Sequence, residues 1–149
     1  MLRVYQESIE QSRCLSILSR APAEEVKRFA DALIPQLGDI EVLHNRTGLA
    51  MLPMRDPVEG ITFYLGEVLI AEAHVSLGES EGYAACLGRD VEHALAMALI
   101  DAANAAHLAP DRIAAFVESQ AARLEEADRR LLRQVEATRV EMETFEWQT

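Results

Sequence analysis

With 149 residues and a net charge of −11, the chain is long enough to bury a real core as one domain, and acidic enough to exclude nucleic acid and an anionic membrane as partners. Half of it is hydrophobic and about a quarter charged, which is ordinary for a globular protein. No apolar run reaches the ~20 residues of a membrane span, and Met1–Glu7 lacks the basic-then-apolar pattern of a signal peptide, so a cytoplasmic location is expected.

A first helix is read over 6–20, with Ile9, Cys14, Ile17 and Leu18 as contacts. Ala21-Pro22 stops it and starts a second, since proline is tolerated in a first turn. Glu24 and Glu25 suit that turn electrostatically. Val26, Phe29, Ala30 and Leu33 form its apolar stripe, and Pro35 and Gly38 end it. The two helices are expected to form a hairpin over 6–36.

From Asp39 the hydrophobic period becomes two. Ile40–His44 reads as a strand, Asn45-Arg46-Thr47-Gly48 as a turn and Leu49–Leu52 as the return. Pro53 marks a strand end or an edge, and a loop follows from Arg55 to Gly60. Ile61–Tyr64 resumes the strand pattern, Gly66 marks a bulge or kink, and Val68–Leu77 is the longest strand. A hairpin loop, Gly78–Gly82, leads to a last strand, Tyr83–Leu87. The connections are short, so 39–87 is expected to be an antiparallel meander of four to five strands.

Asp90 is a good N-cap for an alanine-rich central helix over 90–107, and Gly88 can take the backbone angle that the preceding turn needs. Val91, Leu95, Ala98, Leu99 and Ala102 form its stripe, and the many alanines let it lie close on the sheet. After a break at Leu108–Asp111, a helix is read over 111–146. Its seam steps by three and four through Val117, Ala121, Leu124, Leu131, Val135, Thr138, Met142 and Phe145, with Asp128 interrupting. Such a helix would run ~50 Å, against a radius of gyration of about 15 Å for a compact domain of this size. It must overhang, break or pack on another chain. The fold class is α+β: helical hairpin, antiparallel sheet, central helix on the sheet and long C-terminal helix, in a single domain over 1–149.

Chemistry is sparse. Cys14 and Cys86 are far apart and read as small core residues rather than a disulfide, metal ligands or nucleophiles. Of the basic residues only Lys27 is lysine; the arginines favour bidentate pairing with carboxylates, often at interfaces. His44, His74, His93 and His107 make no ligand motif. A metal pair between His44 and His74 on strands is geometrically possible, but the spacing gives it no support. Arg89, Asp90 and His93 could form an anion- or carboxylate-binding corner at a helix start. The plainer reading, that they cap and tie the turn with His93 packed beside it, ranks first. No phosphate loop is present, Ser76 and Ser80 lack a base, and Glu67 and Glu72 fall on opposite faces of a regular strand. The residues alone show no self-contained active site.

Leu87-Gly88-Arg89-Asp90, then His93-Ala94, then Ala98-Leu99-Ile100-Asp101 resemble the signature of the PhnG family, the G subunit of the bacterial carbon–phosphorus lyase core complex that degrades phosphonates. Thr47-Gly48-Leu49, Leu65-Gly66-Glu67 and Thr138-Arg139-Val140-Glu141 with Thr144 extend the resemblance over nearly the whole chain. Arg46 stands where the family has an acidic residue, and the loop before Leu65 carries Pro53, Pro57 and Gly60 where the family is glycine-rich.

The resemblance implies an accessory subunit of α-D-ribose 1-methylphosphonate 5-triphosphate synthase. There the G, H, I and L proteins exchange the adenine of ATP for a phosphonate, with the nucleosidase-like chemistry on I. The J subunit, with an iron–sulfur cluster and S-adenosylmethionine, later breaks the carbon–phosphorus bond. It further implies that this chain binds no cofactor, carries no catalytic residue and takes H, I, J and L as partners; the isolated chain is expected to be a homo-oligomer. Interface or substrate-shell candidates are Thr47, Gly48, Leu49, Gly66, Glu67, Gly88, Arg89, Asp90, His93 and Arg139, with no metal ligand assigned. Two alternatives stand beside this: an unrelated homo-oligomeric interaction domain, and a small autonomous enzyme using Arg89, His93 and Glu67.

Overall fold

The structure, a computed structural model, describes residues 2–140, with side-chain surroundings from residue 10 onward. Its elements are α1 (Leu2–Arg20), α2 (Ala23–Leu37), β1 (Glu41–Arg55), β2 (Thr62–Leu77), β3 (Ser80–Leu87), α3 (Val91–Ala105) and α4 (Pro110–Ala137). The α+β class and antiparallel meander hold, with three strands in the order β1-β2-β3.

The expected four to five strands merge because two breaks are absent. Asn45–Gly48 is not a turn but the middle of β1, paired residue for residue with Ile70–Ala73. A long ladder outweighs the turn preference of an Asn-Arg-Thr-Gly run. On β2 the Ile61–Tyr64 and Val68–Leu77 stretches join through a bulge. Leu52 pairs with Gly66 and Pro53 with Tyr64, which leaves Leu65 extra beside the glycine expected to mark it. A second bulge leaves Leu43 extra on β1.

The core forms where α3 crosses the sheet. Ala71, Ala73, Val75 and Leu77 of β2 and Ala84 and Cys86 of β3 point at α3 and are buried. On the other side α3 meets Leu18, Val26, Ala30 and Leu33 of α1 and α2. Buried on nearly all sides, α3 needs small residues, and Ala94, Ala98, Ala102 and Ala103 are fully covered.

The closest approach is at Gly82, which lies within β3 and not in the expected loop; the turn is only Gly78-Glu79. A Cβ at Gly82 would stand 2.2 Å from the Ala98 carbonyl oxygen and 2.3 Å from the Ala102 nitrogen. Both are helix backbone atoms, so no side-chain movement relieves the clash.

Instead of a hairpin, α1 and α2 make a corner at Ala21-Pro22, and their packing partners are α3 and α4. Buried Asp101 of α3 accepts from the Gln11 side chain of α1 at 3.0 Å and from the Tyr83 amide of β3 at 3.1 Å. Burial pushes its carboxyl up from the ordinary range.

The last helix begins after His107 and Ala109, both at positive φ, with Pro110 at its start. Ile113, Val117 and Gln120 are buried, and Phe116 stacks on Phe29 of α2 with centroids 4.0 Å apart. From Glu125 to Ala137 every residue is exposed. At 28 residues α4 runs roughly 42 Å. It overhangs unbroken and ends at Ala137, short of the expected 146: Thr138 is its C-cap and Arg139 and Val140 are no longer helical, while Glu141, Met142, Thr144 and Phe145 lie outside the described residues. Among the described residues no helix is long and apolar enough to cross a membrane.

Gly82→Ala should lower stability by about 3 kcal/mol, because α3 and β3 must part. Gly48→Ala, with no atom within 4 Å of its new Cβ, should change stability by less than ~0.5 kcal/mol. Chemical denaturation of both variants checks the contrast.

Candidate functional site

Three surfaces contain the residues singled out by the sequence, Arg139 at the end of α4 apart: the β3–α3 corner, the open face of the sheet, and a two-stranded arm.

At the corner, Gly88 has φ +97 and donates its N–H to the Leu69 carbonyl at 2.9 Å. This left-handed angle is the one that the sequence required of it. Asp90 caps α3, its carboxylate accepting from the His93 amide at 2.9 Å. The chain's one lysine, Lys27 of α2, stands 2.9 Å from Asp90 and 3.5 Å from Glu92, so it pins α2 to the start of α3. The His93 amide and Lys27 hold the Asp90 carboxyl below the usual range.

His93 turns inward and is buried, with Nε2 donating to the Leu18 carbonyl at 3.0 Å. A carbonyl only accepts, so that nitrogen carries the proton. Arg89 is exposed. The corner therefore caps and ties the turn. Asp90 fills the helix start, where an anion would have to sit, and His93 faces the core.

Of the three residues of the autonomous-enzyme alternative, Arg89 and Glu67 are exposed and His93 is buried. A cavity of about 290 Å³ lies elsewhere, between α1 and α4, lined by Glu10, Arg13, Cys14, Ile113 and Glu118 among others. Burial, then the nearby Asp101 carboxylate, pushes the Cys14 thiol up to about 11. It is protonated at neutral pH and a poor nucleophile.

The open face of the sheet carries a polar network that the sequence reading did not assemble. His44 and Arg46 of β1, Glu72 and His74 of β2, and Glu81 and Tyr83 of β3 point away from α3. Glu72 accepts from Arg46 Nε at 2.7 Å and from the Tyr83 hydroxyl at 2.6 Å. The tyrosine hydrogen bond, then Arg46, lowers the Glu72 pKa, and the same carboxylate raises that of Tyr83. His74 Nε2 is 2.9 Å from Glu81, and His44 and His74 meet edge to face with centroids 5.5 Å apart.

His44 Nε2 is buried without a hydrogen-bond partner, 3.9 Å from Glu72. Among the described residues no group of three His, Cys, Asp or Glu side chains is placed to hold a metal ion. The period-two alternation would have assembled the network had Asn45–Gly48 been read as strand. As expected, Glu67 and Glu72 lie on opposite faces.

Beyond the Ile70–Leu87 pair, β3 ends and β1 and β2 continue alone for roughly 20 Å. This arm contains Gly48, Leu49, Gly66 and Glu67, with Thr47 at its base. More than half of the large exposed apolar side chains among the described residues lie between Leu49 and Leu69. By register, Leu49, Met51, Tyr64 and Leu69 share one face, and Leu52, Met54, Phe63 and Val68 the other. A ribbon apolar on both faces has no favourable state in water, and two strands alone are marginal. Arg139, just past α4, is exposed and pairs with its neighbour Glu136 at 3.0 Å.

These features define an interaction protein, a small helix-backed sheet that holds an apolar arm and a helix end out for other surfaces to cover. The chain belongs to the family described as phosphonate metabolism protein PhnG, whose profile matches residues 10–146. It is 35% identical over 134 residues to the alpha-D-ribose 1-methylphosphonate 5-triphosphate synthase subunit PhnG of Rhizobium meliloti (strain 1021), covering 88% of this chain and 85% of that protein.

Replacing Asp90 by alanine should cost about 1 kcal/mol near neutral pH, and by asparagine much less, since Asn is an equal cap. The Asp90 pKa is lowered on folding. Its contribution is therefore present above the ordinary carboxyl value of about 3.9 and lost as pH falls through the lowered folded value. Denaturation across that range should show the wild-type advantage over Asp90→Ala closing. Gly88→Val should cost about 1–3 kcal/mol through backbone strain alone, because its Cβ would meet nothing within 4 Å; thermal melting reads this out.

Proposed function

We propose that this chain is an accessory, assembly-forming subunit of a phosphonate-processing complex of the carbon–phosphorus lyase type. In this reading it is needed with the H, I and L subunits for ATP-dependent formation of α-D-ribose 1-methylphosphonate 5-triphosphate, the activity that its Rhizobium relative is named for. It contacts those subunits and J. ATP acts at the complex, and the iron–sulfur cluster and S-adenosylmethionine belong to J. The two-faced apolar arm carries this reading, because only burial between other surfaces satisfies both faces. Beside it, the open-face network offers Tyr83 and Arg46, of types that anchor interfaces. Thr47, Gly48, Leu49, Gly66 and Glu67 act as arm or arm-base contacts, while Gly88, Asp90 and His93 hold the body that presents the arm.

The test is co-expression with the H, I, J and L subunits. Met54 and Phe63 face each other across the arm and are 44% and 46% exposed. Met54→Lys with Phe63→Glu removes apolar surface yet leaves opposite charges paired across the strands. This double variant should melt like wild type and fail to co-elute with the other subunits. Arg139→Glu should also melt normally and weaken the complex. Full co-elution of the double variant, or turnover of ATP with a phosphonate by the lone chain, would overturn the proposal.

A further inference from the structure

We infer that β1 has a second use: its free edge pairs antiparallel with β1 of a second copy, joining two three-stranded sheets into one of six.

The direction of the backbone groups follows from the register. Gly88 donates to the Leu69 carbonyl on the β3 side. The backbone polar groups of Leu69 thus face β3, and those of Leu49, its partner, face away from β2. Alternation extends this outward set along β1 to Asn45, Thr47, Met51 and Pro53. Pro53 agrees independently, since proline in a strand belongs where its nitrogen faces off the sheet.

This edge belongs to a 15-residue strand at the margin of the sheet. Its protections lie towards its ends, Pro53 and the bulge at Leu43, and leave Asn45 to Met51 between them open to pairing. No lysine lies on it, and its charges are Glu41, Arg46 and Arg55.

The occupant is argued from the strand itself. Whatever pairs here must be extended and free on one edge, with charges that match those at the two ends of β1. β1 is such a strand. Centring an antiparallel pair on Gly48 uses its full length: Thr47 meets the partner's Leu49, and Asn45 meets the partner's Met51, all with outward groups. Pro53, which has no amide to give, falls level with the partner's Leu43, which is extra in its own ladder. The acidic Asp39–Glu41 end of each strand comes level with Arg55 of the other, so opposite charges meet at both ends despite the net charge of −11.

The inference concerns the isolated chain and goes beyond the subunit reading, which stands or falls with the other subunits. In this register Gly48 faces the partner's Gly48 as a non-hydrogen-bonded pair, with Cα atoms about 4.5 Å apart. That is within disulfide reach, and a Cβ at Gly48 meets nothing within 4 Å.

The isolated full-length protein should be a dimer by light scattering at tens of micromolar. Gly48→Cys should cross-link it under mild oxidation, whereas wild type, with Cys14 half-buried and Cys86 buried, and Ala50→Cys should not. Leu49→Pro removes an outward amide and should give a folded monomer by circular dichroism and light scattering. Ala50→Pro removes a rung of the β1–β2 ladder and should damage the fold. A wild-type monomer, or a dimer in which Gly48→Cys does not cross-link, would overturn the inference.

Discussion

The contact between Gly82 and α3 sets the geometry of the whole body. With Ala98 and Ala102 backbone where a Cβ would be, β3 and α3 pack closer than side chains ordinarily allow. The helix then buries nearly its entire circumference, and the other helices are arranged around it. Lys27 ties α2 to its start, Asp101 ties α1 and β3 to its second half, and the stacked Phe29 and Phe116 join α2 to α4. Dispersion rather than charge dominates here, because surface ion pairs such as Arg13 with Glu118, Arg129 with Glu125 and Arg133 with Glu126 are more than half exposed and contribute little.

That compact body serves two extensions that gain nothing from it beyond their base. The arm runs out of helix cover at Leu69, and α4 runs out of α1 and α2 cover near Asp128, which Arg20 at the end of α1 still holds. Both remain regular after the cover stops, and both expose apolar side chains, which on α4 are Leu131, Leu132 and Val135 among charged residues. Regular structure maintained without a core is what a chain shows when part of its core is supplied by others. The open-face network fits the same logic: Arg46, Glu72 and Tyr83 satisfy one another, while the His44 nitrogen keeps an unmet hydrogen-bonding capacity.

Much of the body was legible from local rules. Asp90 as cap, Gly88 at positive φ, the alanine face of α3 and the excess length of α4 each follow from a property of one or a few neighbouring residues. The missed features depend on long-range pairing. Asn45–Gly48 has every local mark of a turn and becomes strand because β2 lies alongside it. That single reversal also hid the network, since breaking the alternation separated His44 and Arg46 from Glu72 and His74. Gly82 looked like loop for the same reason glycine usually does; that it lies in a strand beneath a helix backbone is a fact of tertiary packing. The helical corner likewise reads as a hairpin until α1 and α2 are seen to pack on α3 and α4.

The central claim is that the arm is completed by other subunits, and amide hydrogen exchange of its β2 side, Thr62–Val68, tests it most directly. The amides should exchange quickly in the isolated protein, where the β2 edge of the arm beyond β3 is uncovered, and become strongly protected in the assembled complex. Equal exchange in both states would mean that the arm stays in solvent and that assembly is built on another surface.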